Sequence, residues 1–282
     1  KQLNALLAQH NITLNDGRIE VKVTGGEGRV TAYAAVIDNR TKDQLFVPAS
    51  TLGVTTSSKY VMPGIAHLNA GPALWRSDMR VFNNSDAPQQ ATLTLFQQNN
   101  AGSPLTATIT VNPGETEILD DIVQTLFGAS NVGGAVHLTT SNPSSLVVTA
   151  RTYNQTPNGT LGLFIPAVTP DEAVGGGDRS LNLLQAEDSI RYRTNVGIAE
   201  VTGNPVTVEI LVHLPDTKVT PRIEMPLAAN EFRQLGILRE LGIGNVYNAR
   251  LSMRVVSGEG KITAYGSVID MKTNDSTYVP AQ

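Results

Sequence analysis

The chain has 282 residues, 40% of them apolar and 16% charged, with a formal net charge of −4. That length builds two or three hydrophobic cores, while the dispersed Lys and Arg exclude a continuous basic stripe for nucleic acid. No apolar run approaches the ~20 residues of a membrane helix, and the zero Cys count excludes disulfides, thiolate metal sites and cysteine nucleophiles.

Along the chain, 25 Gly and 15 Pro punctuate runs of Val, Ile, Thr and Leu, a composition that predicts strands joined by turns. The first segment, "LNALLAQHN" (Leu3–Asn11), predicts a short helix. Three strands are then expected over Arg18–Val23, Arg29–Asp38 and Gln44–Pro48, joined by "TGGEG" and "NRTKD", both with hairpin chemistry. Residues 50–71 lie between repeat units as a connector, in which Tyr60, Val61 and Met62 are expected either to form a strand or to dock on a neighbour.

Next come strands over Met79–Phe82, Ala91–Phe96 and Thr106–Val111, the second alternating with period two. The third runs into "NPGETEILDDIVQTLFG", where Asp120 or Asp121 is placed to cap a short helix. Residues 169–182, rich in Pro, Gly and Asp, read as a linker. Strands at Val196–Ala199 and Val206–Val212 and a helix in "LGILRELG" repeat the plan in the last unit.

The plan repeats because the sequence does. Arg18–Ala49 aligns without a gap on Arg250–Ala281, sharing Thr-Ala-Tyr, Val-Ile-Asp and the closing Val-Pro-Ala. A third, diverged tail ends "RTYNQTPNGTLGLFIPA" at Arg151–Ala167. The head "WRSDMRVFNNSDAP" (Trp75–Pro88) sits over "YRTNVGIAEVTGNP" (Tyr192–Pro205), so three tails share two heads. Repeats of this period imply tandem domains. The expected fold is all-β: tandem immunoglobulin-like β-sandwich modules, each with one short helical crossover. The units are a partial module at 1–49, a connector at 50–71, a module at 72–168, a linker at 169–182 and a module at 183–282. Equivalent strand parity predicts that Tyr33 and Tyr265 are both buried, as are Val36 and Val268. The headless first unit is expected to leave an open sheet edge, a recognised aggregation hazard. Upstream residues, the 50–71 segment or another copy are the candidates to cover it.

The head "WRSDMRVFN", the "PGETEILDD" segment, the Arg151–Ala167 tail and the terminal "VPAQ" resemble tandem β modules found toward the C-termini of large secreted bacterial proteins. Most of those are uncharacterised, and some follow a secreted protease. The resemblance spans nearly the whole chain. It implies an extracellular or cell-surface location and a non-catalytic role, with other copies of itself or a parent secreted protein as partner. It carries no cofactor and no functional residues.

Side chains that bear chemistry are few. His10, His67, His137 and His213 share no metal-ligand spacing, and neither a G-x-S-x-G elbow nor a phosphate-binding glycine loop is present. Asp38 and Asp43 flank one turn, and Asp270 and Asp275 flank its twin. Paired loop carboxylates are weak calcium candidates, since calcium takes six to eight oxygens; Asp that closes a hairpin on backbone amides is the preferred reading. Asp171, Glu172 and Asp178 in the linker form a weaker candidate of the same kind. Aromatics make up 5% of the chain and mostly recur in register, which leaves Tyr60 and Tyr247 as the platforms for a sugar. A non-catalytic structural or adhesive protein is therefore expected, with an accessory polysaccharide- or calcium-binding module as the alternative.

Overall fold

The computed structural model describes residues 9–13, 16–51, 56–215, 217 and 220–282. The expected Leu3–Asn11 helix lies largely outside them. Alternation in the tails becomes sheet first at β1 (Tyr33–Ile37) and β2 (Gln44–Pro48), an antiparallel two-stranded ribbon. Arg18–Val23, expected as a strand, is exposed and irregular, and Arg29–Asp38 is strand only over β1. The physical reason is neighbours. In the last unit the matching segment hydrogen-bonds strands on both sides, and no counterparts of these pair with Arg18–Val23 among the described residues.

The middle unit is complete. Its strands are β3 (Lys59–Ala70), β4 (Ala73–Asn83), β5 (Gln89–Gln97), β6 (Leu105–Val111), β7 (Thr116–Leu119), β8 (Val132–Thr140), β9 (Leu146–Thr156) and β10 (Gly159–Pro166). The helical turn α1 (Ile122–Thr125) crosses between β7 and β8 and buries Ile122 and Val123. One layer runs β3-β8-β5-β6 and the other β10-β9-β4-β7. Leu93, Leu95, Leu138 and Met79 are among the residues fully buried in the core, each contributing ~1.5–3 kcal/mol of apolar burial.

β3 corrects the connector expected at 50–71. It belongs to both layers: Lys59–His67 pairs β8, and after a bulge at Gly64 its end, Leu68–Ala70, pairs β4. Its first half, Tyr60–Met62, is buried at every position, so it carries no alternation for a sequence reading to find.

The last unit repeats the arrangement with β11 (Leu181–Asp188), β12 (Tyr192–Glu200), β13 (Val206–His213), β14 (Arg222–Leu227), β15 (Phe232–Leu235), α2 (Ile237–Glu240), β16 (Val246–Gly258), β17 (Ile262–Asp270) and β18 (Ser276–Pro280). Its layers are β14-β13-β16-β11 and β15-β12-β17-β18. The fold is all-β and sandwich-like throughout.

The tail motif has a visible mechanical role. The residue after Pro-Ala latches onto the module's first strand: Val168 exchanges two backbone bonds with Val61 (2.8 and 2.9 Å), and Gln282 does the same with Asn182 (2.7 and 3.0 Å). The expected linker at 169–182 is also packed. Val174 is buried and bridges Ile262 at 3.0 and 2.8 Å, and Leu181 already starts β11.

Candidate assembly interface

Each end hairpin is closed by the same aspartate chemistry. Asp38 Oδ1 accepts the amides of Arg40 (2.8 Å) and Thr41 (3.1 Å), while Asp270 Oδ1 accepts those of Lys272 (2.7 Å) and Thr273 (2.8 Å). Asp38 N donates to Asp43 O and Asp270 N to Asp275 O, both at 2.9 Å. These are side chains that mimic a backbone turn. Amide bonds, from Thr160 of the middle module first and then from Arg40 and Thr41, hold the Asp38 carboxyl well below the usual range, and those of Thr273 and Lys272 hold Asp270 down.

The first hairpin then uses its spare oxygens to grip the middle module. Asp38 Oδ2 accepts Thr160 N and Oγ1, each at 2.9 Å, and Asp43 Oδ2 accepts Gly162 N at 2.8 Å. Thr41 Oγ1 donates to Thr160 O (2.7 Å), and Arg40 Nη2 to Pro157 O (2.6 Å). Gly159, at φ +123°, has to be glycine here, because a Cβ would meet both Asp38 carboxylate oxygens at 2.9 Å. The ribbon is thus fastened to the β9–β10 hairpin through polar bonds, with its own strands left intact.

Four of the sequence candidates therefore meet only in part. Asp38 and Asp270 stay in separate turns, but the Asp43 and Asp275 carboxyls face each other across the junction. Burial first, and then the Asp43 charge, push Asp275 up to about 6, with Asp270 adding to the rise. Asp275 Oδ1 is buried without a donor among the described residues. Among the described residues, no group of three or more His, Cys, Asp or Glu side chains is placed to hold a metal ion.

The pair makes a signed pH prediction. A folded pKa above the unfolded value means the folded state takes up a proton as pH falls, so the stabilisation is complete below about 4 and is lost as pH rises through about 6. Asp275→Asn is expected to raise the melting temperature at pH 7 and to leave it unchanged near pH 4, a gain on the order of 1 kcal/mol after allowing for solvent screening. The comparison is of variant with parent at each pH. His137, whose burial pushes its imidazole well below the ordinary value, weakens the fold on acidification in both proteins and cancels. A variant whose difference from the parent does not change between pH 4 and 7 would show that folding does not raise the Asp275 pKa.

The ribbon's apolar side chains are bare, Tyr33, Ile37 and Phe46 on one face and Val36 on the other. Tyr33 is 64% exposed, and Val36 and Ile37 are 52% exposed, whereas Tyr265 and Ile269 are 1% and 2% exposed at the matching places. The expected burial of Tyr33 and Val36 is corrected here; Val268 is half-buried. Strand register is not the cause, because Tyr33 stacks on Phe46 with centroids 5.0 Å apart, as Tyr265 stacks on Tyr278 at 5.0 Å. What differs is the cover. Tyr265 is sandwiched by β12 and by the bulge of β3: a Cβ on Gly197 would lie 2.3 Å from its ring, and one on Gly64 2.2 Å from its hydroxyl. Its hydroxyl donates to Gln234 Oε1 at 2.6 Å.

That packing makes the middle and last modules one body. Phe232, Tyr265, Ala199 and Val201 of the last module join the middle module's core. Lys59 Nζ donates to Asn230 Oδ1 (2.9 Å), and Gln98 Nε2 to Gln234 O (3.1 Å). His137 lies buried against Phe96, with neither ring nitrogen hydrogen-bonded among the described residues.

The remaining candidates serve structure locally. His67 Nδ1 pairs with Asp121 at 2.8 and 2.9 Å, and Asp121 makes no capping bond for α1, contrary to expectation. His213 Nε2 meets Ser252 Oγ at 3.2 Å, and His10 is exposed. Glu172 and Asp178 accept amides within their own turns, each at 2.8 Å, and Asp171 accepts from Thr56 at 3.2 Å. Tyr60 is buried with its hydroxyl donating to Pro143 O at 2.6 Å, which leaves Tyr247, beneath the Arg191 guanidinium at 5.4 Å, as the exposed ring.

Sequence reasoning passed over Glu200 and Asn83. Both are fully buried, end equivalent strands and organise the turn that follows. Their signal was present in the turn clusters "NSDAP" and "VTGNP" that follow them.

No family model and no curated protein matches the chain. Among solved structures, a β-glucuronidase 2 of Bacteroides uniformis, covalently bound to cyclophellitol-6-carboxylate aziridine, aligns at 11% identity and a TM-score of 0.17. The alignment covers 81% of this chain and 26% of that one, so the chain spans about a quarter of its length.

Proposed function

We propose that this is a non-catalytic structural or adhesive protein of the cell exterior, which joins to other polypeptide through its open first module. One observation carries the reading: the β1–β2 ribbon is locked onto the middle module while Tyr33, Val36, Ile37 and Phe46 stay uncovered. An apolar ribbon held rigidly with one strand edge open invites strand addition. The extracellular setting rests on the resemblance to modules of secreted bacterial proteins.

The outer edge of β1 is the point to test. Ala32 O accepts Ala49 N and Asp38 N donates to Asp43 O, so even-numbered residues bond β2 and the amides of Tyr33, Ala35 and Ile37 point away from it. Ala35→Pro removes an outward N–H and leaves the ribbon's own bonds in place. Light scattering over a range of concentrations is expected to give a mass that rises for the parent chain and stays monomeric for Ala35→Pro. A parent chain that is monomeric throughout overturns self-association. In the same preparation, a melting temperature that falls with EDTA and recovers with calcium would favour the accessory-module reading, since a ligand at 100 times its Kd adds about 2.7 kcal/mol.

A further inference from the structure

The repeat shows what a tail hairpin of this type is built to receive. In both complete modules the tail's first strand pairs antiparallel with the head strand: β9 with β4, and β17 with β12. The residues that face each other match in size. Gly197 of β12 lies opposite Tyr265, where any Cβ would strike the ring; Arg80 of β4 lies opposite Thr149, which leaves room for a long side chain. By strand register Tyr33 occupies the place of Tyr265 and of Thr149, since each lies opposite the proline of its own tail: Pro48, Pro280 and Pro166.

The first hairpin therefore carries the tyrosine version of the tail. Its ring stack already has the separation seen in the covered copy, and its turn repeats the same aspartate bonds, so its geometry is set before any partner arrives. Both heads of the chain are already held by their own tails.

We propose that the β1 edge binds a polypeptide strand of the β12 type: extended, antiparallel to β1, apolar on alternate residues and with glycine opposite Tyr33. This rests on the assembly reading above and names its partner. A β4-type strand is excluded by size, because an Arg opposite Tyr33 would meet the ring that glycine clears. Pairing lends affinity through the outward amides of Tyr33, Ala35 and Ile37, and the glycine supplies selectivity.

The test uses the full chain and a synthetic peptide copying Ile190–Val201, with a second peptide carrying Gly197→Arg. Hydrogen exchange at the Tyr33, Ala35 and Ile37 amides is expected to slow at least about tenfold with the first peptide at about 1 mM, and to remain unchanged with the second. The first peptide is also expected to suppress any concentration-dependent mass increase. No protection, or equal protection by both peptides, overturns the assignment. Self-association that persists while the peptide protects nothing leaves the assembly reading standing and removes this one. A chain that stays monomeric yet is protected by the glycine peptide alone does the reverse.

Discussion

Tyr265→Ala is expected to destabilise the last module by ~3–5 kcal/mol, the range for emptying a fully buried aromatic site, whereas Tyr33→Ala is expected to cost less than about 1 kcal/mol. The two residues share a register position, a stacking partner and flanking sequence. They differ in that Tyr265 is enclosed by Gly197, Gly64 and Gln234, and the Tyr33 ring stands in solvent. Because Tyr265 also belongs to the core shared with the middle module, its loss should loosen both modules together. Denaturant midpoints of the two variants decide the matter: Tyr265→Ala should shift the transition strongly, and Tyr33→Ala hardly at all at low protein concentration. A comparable loss at Tyr33 would mean that this ring is covered in solution, and repeating the measurement at high dilution separates a partner strand from cover within the chain.

Glu200→Ala is expected to be nearly as costly, ~3 kcal/mol or more. Its carboxylate is fully buried and accepts the amides of Thr202 (2.7 Å), Gly203 (2.8 Å) and Asn230 (2.8 Å) and the Thr202 hydroxyl (2.5 Å). Removing it strands several donors at once, and each unsatisfied buried donor costs ~1–3 kcal/mol before water relieves part of the loss. Asn230 also accepts Lys59 Nζ, so the middle module's grip on that turn should weaken as well. Glu200→Gln keeps the shape and two lone-pair directions, and is expected to lose about half as much. Chemical denaturation of the three proteins reads this directly. Equal midpoints for Glu200→Ala and the parent would show that the turn is held by its backbone alone.

Much of the architecture was legible because it is local. Alternation in "ATLTLF" and "VTVEIL" specifies one buried face wherever the strand pairs, and both became strands, β5 and β13. Asp38 and Asp270 were read as hairpin-closing residues from their place flanking a turn, and their bonds run to the amides two and three residues on. Tyr60–Met62 was one of the places a strand was expected, but its membership in the middle module was not legible, because its residues are buried on both faces and carry no period-two signal. Arg18–Val23 misled for the opposite reason: it carries the pattern of a strand, and among the described residues no strand pairs with it.

The sequence by itself determined the repeat, the all-β class, the turn chemistry of Asp38 and Asp270, and the parity that places Tyr33 and Tyr265 alike. Each of these depends on residues a few positions apart or on comparison of one stretch with its twin. Tertiary structure alone decided that Tyr265 is buried and Tyr33 is not, that Asp43 meets Asp275, and that Glu200 is enclosed. Burial and pKa are properties of what lies across a gap, and here the neighbours across it come from other modules: Gly64 for Tyr265, Asp43 for Asp275, Lys59 for the Glu200 turn. A strand carries its own pattern, but whether that pattern becomes core depends on a second layer arriving to cover it.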